Sequence, residues 1–344
     1  MLESLKSIEW SLELVGTLII MGAAVLFVVL ERLFPYTKGI SVFRRGAWID
    51  FVWYTLIQSF FLKILIFDWI IAPLEHATGV AESGYISHWP LWAIVLFFVV
   101  THDFYIYWFH RFQHSNKWFW RTHEAHHSVE HVDWLAGSRS HMVEILINQT
   151  IEFLPIFFLL DVETAAIVVP IKALIDALWG QFIHANIRVK LGTLGYLING
   201  PELHQWHHAD HPEVYHKNFG TKLAIWDWVF GTAYLPNHRP QRFGVWYRFP
   251  RGWFEQHVFS VYRFHVGRFE STPFGHALVN LRNRILNGLG RLFPKAVRNF
   301  LFPHGPLGSE EAFGPKPELF DRKAAVNPNR VSSVAKDNAY LSPQ

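Results

Sequence analysis

The chain of 344 residues contains no cysteine. That absence removes disulfides, thiolate metal sites and thiol nucleophiles from its chemistry, and it leaves the redox compartment open. An excess of one charge sign is also missing. The formal net charge is only +3, although arginine is concentrated after residue 239. Residues 72–89 have no Lys or Arg and carry Glu75 and Glu82. No cleavable signal peptide is evident, because the first apolar run is long and leads into charged sequence, without a small-residue cleavage site.

The apolar share, 51%, is clumped into runs, which points to membrane spans. Runs long enough to cross a bilayer lie at about 12–30, 50–71 and 90–110, followed by an apolar hairpin at 143–160 and 163–183. The expected fold class is all-α: a polytopic helical membrane protein of about five spans with a cytosolic helical cap. The segments 31–49, 111–142 and everything after 184 are rich in Lys and Arg, whereas 72–89 and 161–163 are acidic or short. The positive-inside rule then puts the N-terminus outside and all the basic segments on the cytosolic side.

The hairpin carries polar residues every four positions: Glu144, Asn148 and Glu152 on one arm, Lys172, Asp176 and Gly180 on the other. With the turn at Val162, Glu152 lies level with Lys172 and Asn148 with Asp176. A charge in hydrocarbon is costly, so Glu152 and Lys172 are expected to pair. The alternative is two short re-entrant helices in interfacial water.

The stretch 101–127, THDFYIYWFHRFQHSNKWFWRTHEAHH, ends an aromatic run in histidines. His110 and His114 are four apart and share a helical face. His123, His126 and His127 stand at i, i+3 and i+4, and His204, His207 and His208 repeat that spacing. Pro201 is expected to open the helix of the second triplet, with Asn199 as its cap. Neutral imidazole suits Fe, Zn, Cu and Ni. One zinc is usually satisfied by four ligands, so eight or more imidazoles imply two ions, or one ion with much redundancy. Redox chemistry on oxygen is the usual reason for so large a nitrogen-rich site at a membrane, and iron is the expected metal. The clusters all fall on the side assigned to the cytosol. His123, Glu124 and His127 also spell HExxH, the zinc-protease signature, but that reading leaves His110, His114, His126 and at least two of the second triplet without a role.

WFHRFQH, HEAHHS, FIHAN and PELHQWHH, followed by KNFG and WDWVFGT, resemble the sterol desaturase/fatty acid hydroxylase superfamily over residues 90–236. The resemblance implies an integral-membrane enzyme with a His-ligated dimetal centre that uses O2 and external electrons to hydroxylate or desaturate lipids. Carried over, the ligands and catalytic residues are His110 and His114, then His123, His126 and His127, His184 of FIHAN, and His204, His207 and His208. A further His that some members carry near His184 is absent here.

His102 is a candidate ligand or outer-sphere group. His141, in SRSHMVE, fits a family RxHxxE pattern in which Arg139 and Glu144 order the site. His131, His211 and His216 read as surface or outer-sphere residues. Asp103, Asn186, Asp210, Asn218 and Asp227 are candidates to receive the second ring N–H of ligating histidines. Trp118, Trp120, Trp134, Trp206, Trp226 and Trp228 suit the headgroup level or the wall of a lipid channel.

The expected function is therefore a membrane-bound non-haem di-iron oxygenase with O2 as co-substrate, acting on a C–H bond of a membrane lipid. Hydroxylation is favoured over desaturation; a zinc hydrolase and a His-rich metal transporter are the rivals. No HPGG haem segment and no GxGxxG fingerprint occurs, so electrons must come from a separate ferredoxin- or cytochrome-b5-like protein. The basic face could dock it. No nucleic-acid partner is expected, and the membrane is the bacterial inner membrane, or the ER in a eukaryote.

Three domains are expected: 1–240 as the oxygenase, 241–304 as a basic aromatic extension, and 305–344 as a disordered tail. Within the extension, Leu278, Leu281, Ile285, Leu289 and Leu292 recur beside Arg282, Arg284 and Arg291. That pattern suits a helix on an anionic membrane surface or one packed on the domain.

Overall fold

The computed structural model describes residues 12–78, 84–245 and 249–262, with five isolated positions between 273 and 288. Most of the expected amphipathic helix and all of the expected tail lie outside the described residues. In chain order the helices are α1 (Leu12–Leu33), α2 (Ile49–Thr78), α3 (Leu91–Ser115), α4 (Lys117–His127) and α5 (Met142–Leu159). Then come α6 (Val162–His184), α7 (Pro201–His207), α8 (Ile225–Val229) and α9 (Trp253–Tyr262). Among the described residues there is no strand, only isolated bridges such as Pro35 with Ile187 and Ala209 with Phe243.

Helices α1, α2, α3, α5 and α6 are each long and apolar enough to cross a membrane. All five expected spans are present. The second runs on to Thr78 and contains wide π-helical turns at Ile49–Gln58 and Phe67–Ile71. The third continues through both of its histidines to Ser115. Asn116 then starts α4 as an N-cap, accepting hydrogen bonds from the Trp118 and Phe119 amides. The hairpin turns at Asp161, whose carboxylate accepts from the Thr164 amide at 2.8 Å and caps α6.

Four spans share one apolar core, with Leu62 and Ile66 of α2, Phe98 of α3, Ile156 of α5 and Val168 of α6 all buried. Helix α1 joins from the side, Phe27 packing on Ala185 and Ile187 at the end of α6. Its other faces expose Met21, Val25 and Leu26, as a lipid-facing helix does. The polar segments after α3 and α6 collect at one end of the bundle as a cap. They are held there by buried ion pairs. Arg44 binds Asp133 at 2.6 Å and Asp50 at 2.8 Å, and Arg139 binds Asp50 at 2.6 Å.

Helix α7 departs from expectation in its cap. Gly200 is the N-cap residue, and Asn199 donates its side-chain amide to the Gly220 carbonyl at 2.5 Å. The asparagine ties two loops together, and Pro201 still opens the helix.

Candidate metal centre

Nine histidines converge where the spans meet the cap, and all nine are buried. Helix α3 delivers His110 and His114, α4 delivers His123, His126 and His127, α6 ends in His184, and α7 with its following residue delivers His204, His207 and His208. They form two groups that could each hold a metal ion. His110, His114, His123, His127 and His207 make the first, and His126, His184, His204 and His208 the second. Within each group the ligand nitrogens lie within 4.8 Å of one another. The HxxHH spacing therefore splits each triplet between the groups. His123 and His127, four apart on α4, face one group, while His126 faces the other.

Six rings are fixed from outside. Nδ1 of His110, His114, His126, His184 and His207 lies 2.7–2.9 Å from the carbonyls of Phe219, Tyr215, Arg139, Gly180 and Lys217 respectively. Nδ1 of His123 lies 2.8 Å from Glu144 Oε1. A carbonyl can only accept, so Nδ1 carries the proton and Nε2 presents a lone pair inward. Burial pushes the cap imidazoles His123, His127, His204, His207 and His208 well below their ordinary range, and His126 down to about 4. They are neutral, which is the ligating form.

The inner nitrogens test whether metal fits. Nε2 of His184 lies 3.2 Å from Nε2 of His126, and Nε2 of His114 lies 3.1 Å from that of His127. His126 and His184 both protonate Nδ1, so two lone pairs face each other, an arrangement that needs a cation between them. Two nitrogens bound at right angles to one ion at about 2.1 Å would be about 3.0 Å apart. Nε2 of His110, His123 and His207 is buried without a hydrogen-bond partner. The residues present fit two metal ions.

A close approach makes this possible on the α6 side. A Cβ on Gly137 would come within 2.8 Å of His184 Nδ1 and 3.0 Å of the Gly180 carbonyl. Only glycine lets that turn pass the ring. The cap loop Tyr215–Phe219, source of three of the carbonyls, is shaped by Asn218, which sits in the left-handed region at φ 58°. Its side chain donates to the Leu203 and Tyr234 carbonyls.

The outer carboxylates act one step further out than expected. Asp227 accepts from the Phe219 and Gly220 amides at 2.8 and 2.7 Å, which sets the carbonyl that fixes His110. Asp210 accepts from the Tyr215 hydroxyl at 2.8 Å. Asp103 accepts from the Thr221 hydroxyl, the Lys222 and Leu223 amides and the Trp226 indole. Asn186 bonds Thr37 through both its amide groups. Glu144 orders the site as the RxHxxE pattern implies, and Arg139 does so through its carbonyl.

His141 is a helix cap, its Nδ1 accepting from the Val143 amide. His102 belongs to neither histidine group; Lys172 Nζ donates to its Nδ1 at 3.0 Å. His102, Glu152 and Asp176 form a third cluster of potential ligands, but the Lys172 ammonium already bonds all three and is its resident cation. Glu124, the glutamate of the HExxH string, accepts from Arg121 at 2.9 Å and is in neither group. His131, His211 and His216 are exposed. Trp120 and Trp206 are buried, Trp120 packing against His114 and His127, so neither sits at a headgroup level.

A cavity of about 230 Å³ touches both groups through His110, His123, His126, His184 and His204. Its walls are α3, α5 and α6, with Ile106, Phe109, Ile145 and Ile183 near the histidines and Glu152, Asp176 and Lys222 at the far end. A second cavity of about 40 Å³ reaches His114, His127 and His207 from the cap, past Asp210, Tyr215 and His216.

Comparison with known proteins agrees with this class of site. Residues 95–232 match the fatty acid hydroxylase family. Over that segment the chain is similar to this family, one of the sterol desaturase/fatty acid hydroxylase superfamily. Ornithine lipid hydroxylase OlsE of Rhizobium tropici is 28% identical over 215 residues, 60% of this chain and 63% of that protein. Alkylglycerol monooxygenase of Danio rerio is 30% identical over 180 residues, 52% of this chain and 37% of that protein. Methylsterol monooxygenase 2-2 of Arabidopsis thaliana is 27% identical, covering 46% and 60%. The chain spans less than two thirds of the length of each of these relatives. No solved structure matches it significantly.

Proposed function

We propose that the protein is a membrane-bound non-haem di-iron oxygenase that hydroxylates a C–H bond of a lipid, using O2 and electrons from a separate donor protein. The observation that carries this reading is the convergence of nine buried imidazoles in a five-member and a four-member group. His110, His114, His123, His127 and His207 would hold one ion, and His126, His184, His204 and His208 the other. Bound iron would supply the redox chemistry that activates O2 for attack on an unactivated C–H bond.

The chain supplies the rest. Carbonyls and Glu144 hold six of the nine rings from outside through Nδ1. Burial keeps bulk water from the groups. The cavity between α3, α5 and α6 lets a lipid segment approach both groups, with Ile106, Phe109, Ile145 and Ile183 as its apolar walls. The relatives' names share oxidation of a lipid, as hydroxylases or monooxygenases, which favours hydroxylation over desaturation. Basic segments at the cap end support a cytosolic site. Five spans and lone pairs gathered at one end of the bundle disfavour a transporter, which needs ligands along its path, and Arg121's hold on Glu124 disfavours the protease-like zinc reading.

The test is metal analysis of purified protein together with turnover under ¹⁸O2. Iron in both groups and ¹⁸O in a lipid alcohol are the expected results. A double bond without ¹⁸O would make the protein a desaturase, and zinc with O2-independent hydrolysis would sink the oxygenase reading.

A further inference from the structure

A cavity of about 380 Å³ lies away from the metal centre. It lies on the cap and is lined by none of the nine histidines. Tyr36 and Arg188 line it a few residues beyond the ends of α1 and α6, where the Tyr36 amide donates to the Asn186 carbonyl. Arg188, Lys190 and Arg239 line it against a single carboxylate, Glu202. All three cations are exposed, and none forms an ion pair among the described residues. The Arg239 guanidinium is held over the Tyr36 ring at 5.5 Å.

A second observation is independent of that charge. The loop that borders the cavity at Leu191, Gly192 and Gly195 exposes Leu194, Tyr196 and Leu197, each more than half accessible. Val229 and Trp228 of α8 extend this strip, the Trp228 ring lying 4.7 Å from Tyr196. None of these residues belongs to the five spans. Yet α8 rests on span α3. Trp226 lies 5.0 Å from Phe104, and Phe230, directly after α8, lies 4.9 Å from Trp108. Phe104 is eleven residues before the end of α3 at Ser115, about 16 Å along a helix at 1.5 Å per residue. The strip therefore lies beside the apolar span α3, with the basic cavity at its edge.

We propose that cavity and strip form an interfacial site for an anionic phospholipid. Arg188, Lys190 and Arg239 take the phosphate, and the acyl chains run over Leu194, Tyr196 and Leu197. Three unpaired cations around one concavity fit an anion, and the apolar strip beside them selects one with a lipid tail over a soluble acidic protein. The opposite wall is Gly200, Glu202 and Leu203. Glu202 and Leu203 belong to α7, the helix that carries His204 and His207. An occupied site braces that helix. The inference rests on the bundle spanning a bilayer and is independent of the reaction proposed above.

The experiment uses the full chain in detergent and in bilayers. Native mass spectrometry and thermal unfolding are followed with phosphatidylglycerol, phosphatidylcholine or inorganic phosphate added. Phosphatidylglycerol should be retained and should raise the unfolding temperature, while the other two do neither. Arg188→Gln, Lys190→Gln and Arg239→Gln together should weaken retention about a hundredfold, about fivefold for each basic residue removed near the membrane surface. The single Arg239→Gln variant gives the same direction if the triple one folds poorly. Because the chain has no cysteine, Leu194→Cys provides a unique spin-label position, and its label should be reached by O2 in preference to a water-soluble nickel complex. Undiminished phosphatidylglycerol retention in both Gln variants would overturn the proposal. So would equal stabilisation by inorganic phosphate, a label exposed to water, or an acidic soluble protein that requires the three cations when the lipid does not.

Discussion

Lys222 of the cap loop reaches into the span bundle and binds Asp176 of α6 at 2.5 Å. Asp176 also takes Lys172, which binds Glu152 of α5 at 2.7 Å. Asp103 of α3 holds the Thr221–Leu223 segment through three hydrogen bonds and Trp226 of α8 through a fourth. One buried network thus joins α3, α5, α6 and the loop that fixes His110. Removing one partner leaves a charge unpaired at bilayer depth. We expect Lys172→Met and Lys222→Met each to cost on the order of 3–5 kcal/mol of stability. Exchanging the residues of the Glu152–Lys172 pair should recover part of the loss. Chemical unfolding in detergent and in bilayers reads this directly. Unchanged stability in either single variant would show that the network is already solvated.

The split of each HxxHH triplet gives a prediction that a single metal site would not. His207 belongs to the five-member group and His204 to the four-member group. His207→Ala should lose iron from the first group and keep it in the second, and His204→Ala the reverse. Both should lose lipid oxidation. His211→Ala and His216→Ala remove exposed rings and should keep full iron and turnover. Iron per chain with Mössbauer spectroscopy distinguishes the two half-loaded species. Complete iron content in His207→Ala would remove His207 from the ligand set.

Glu144 holds His123 through Nδ1 and acts as a positioning residue. Glu144→Gln leaves the shape of α5 intact but replaces the carboxyl partner of His123 by an amide. Loss of such a partner lowers metal affinity by about 10–100-fold. Competition with a chelator measures it, with circular dichroism as the folding control. Wild-type chelator resistance would assign Glu144 a packing role only.

The spans and eight of the nine histidines were legible from the sequence because each leaves a periodic mark. Apolar runs report bilayer length, and i, i+3, i+4 spacing reports a shared helical face. The Glu152–Lys172 pair was legible because two arms about one turn must bring equal offsets together. His184, alone of its kind in its stretch, had no spacing to betray it and came only through the FIHAN resemblance. The backbone carbonyls of Phe219, Tyr215 and Lys217 leave no side-chain signature at all. Asn218 was the available clue, since asparagine tolerates the left-handed turn that presents them. Lys222 was silent for another reason. Its partners Asp103 and Asp176 lie in spans far from it in sequence, and no local period links them.

Two imidazoles cap the start of α5. The Val143 amide donates to His141 Nδ1 at 3.2 Å, and the Met142 amide donates to His257 Nε2 at 3.1 Å. The tautomers are consistent, since His257 Nδ1 donates to the Trp253 carbonyl at 2.8 Å and His141 Nε2 faces the His257 carbonyl. Each accepting nitrogen must be unprotonated. Burial lowers His141 to about 4 and His257 to about 3, with its neighbour His141 adding to the latter. An unfolded histidine titrates near 6.5. Between those values the unfolded chain binds more protons than the folded one, so stability rises with pH. The contribution is complete above about pH 6.5 and is lost as pH falls toward about 4 and then 3. Protonation would also uncap the helix that carries Glu144. We expect His257→Gln, whose amide oxygen can accept from Met142 without titrating, to flatten the fall of unfolding temperature between pH 6.5 and 4. Metal-ligand protonation is common to both proteins and cancels in the difference. Identical pH slopes for wild type and His257→Gln would show that His257 does not contribute to the acid sensitivity of the fold.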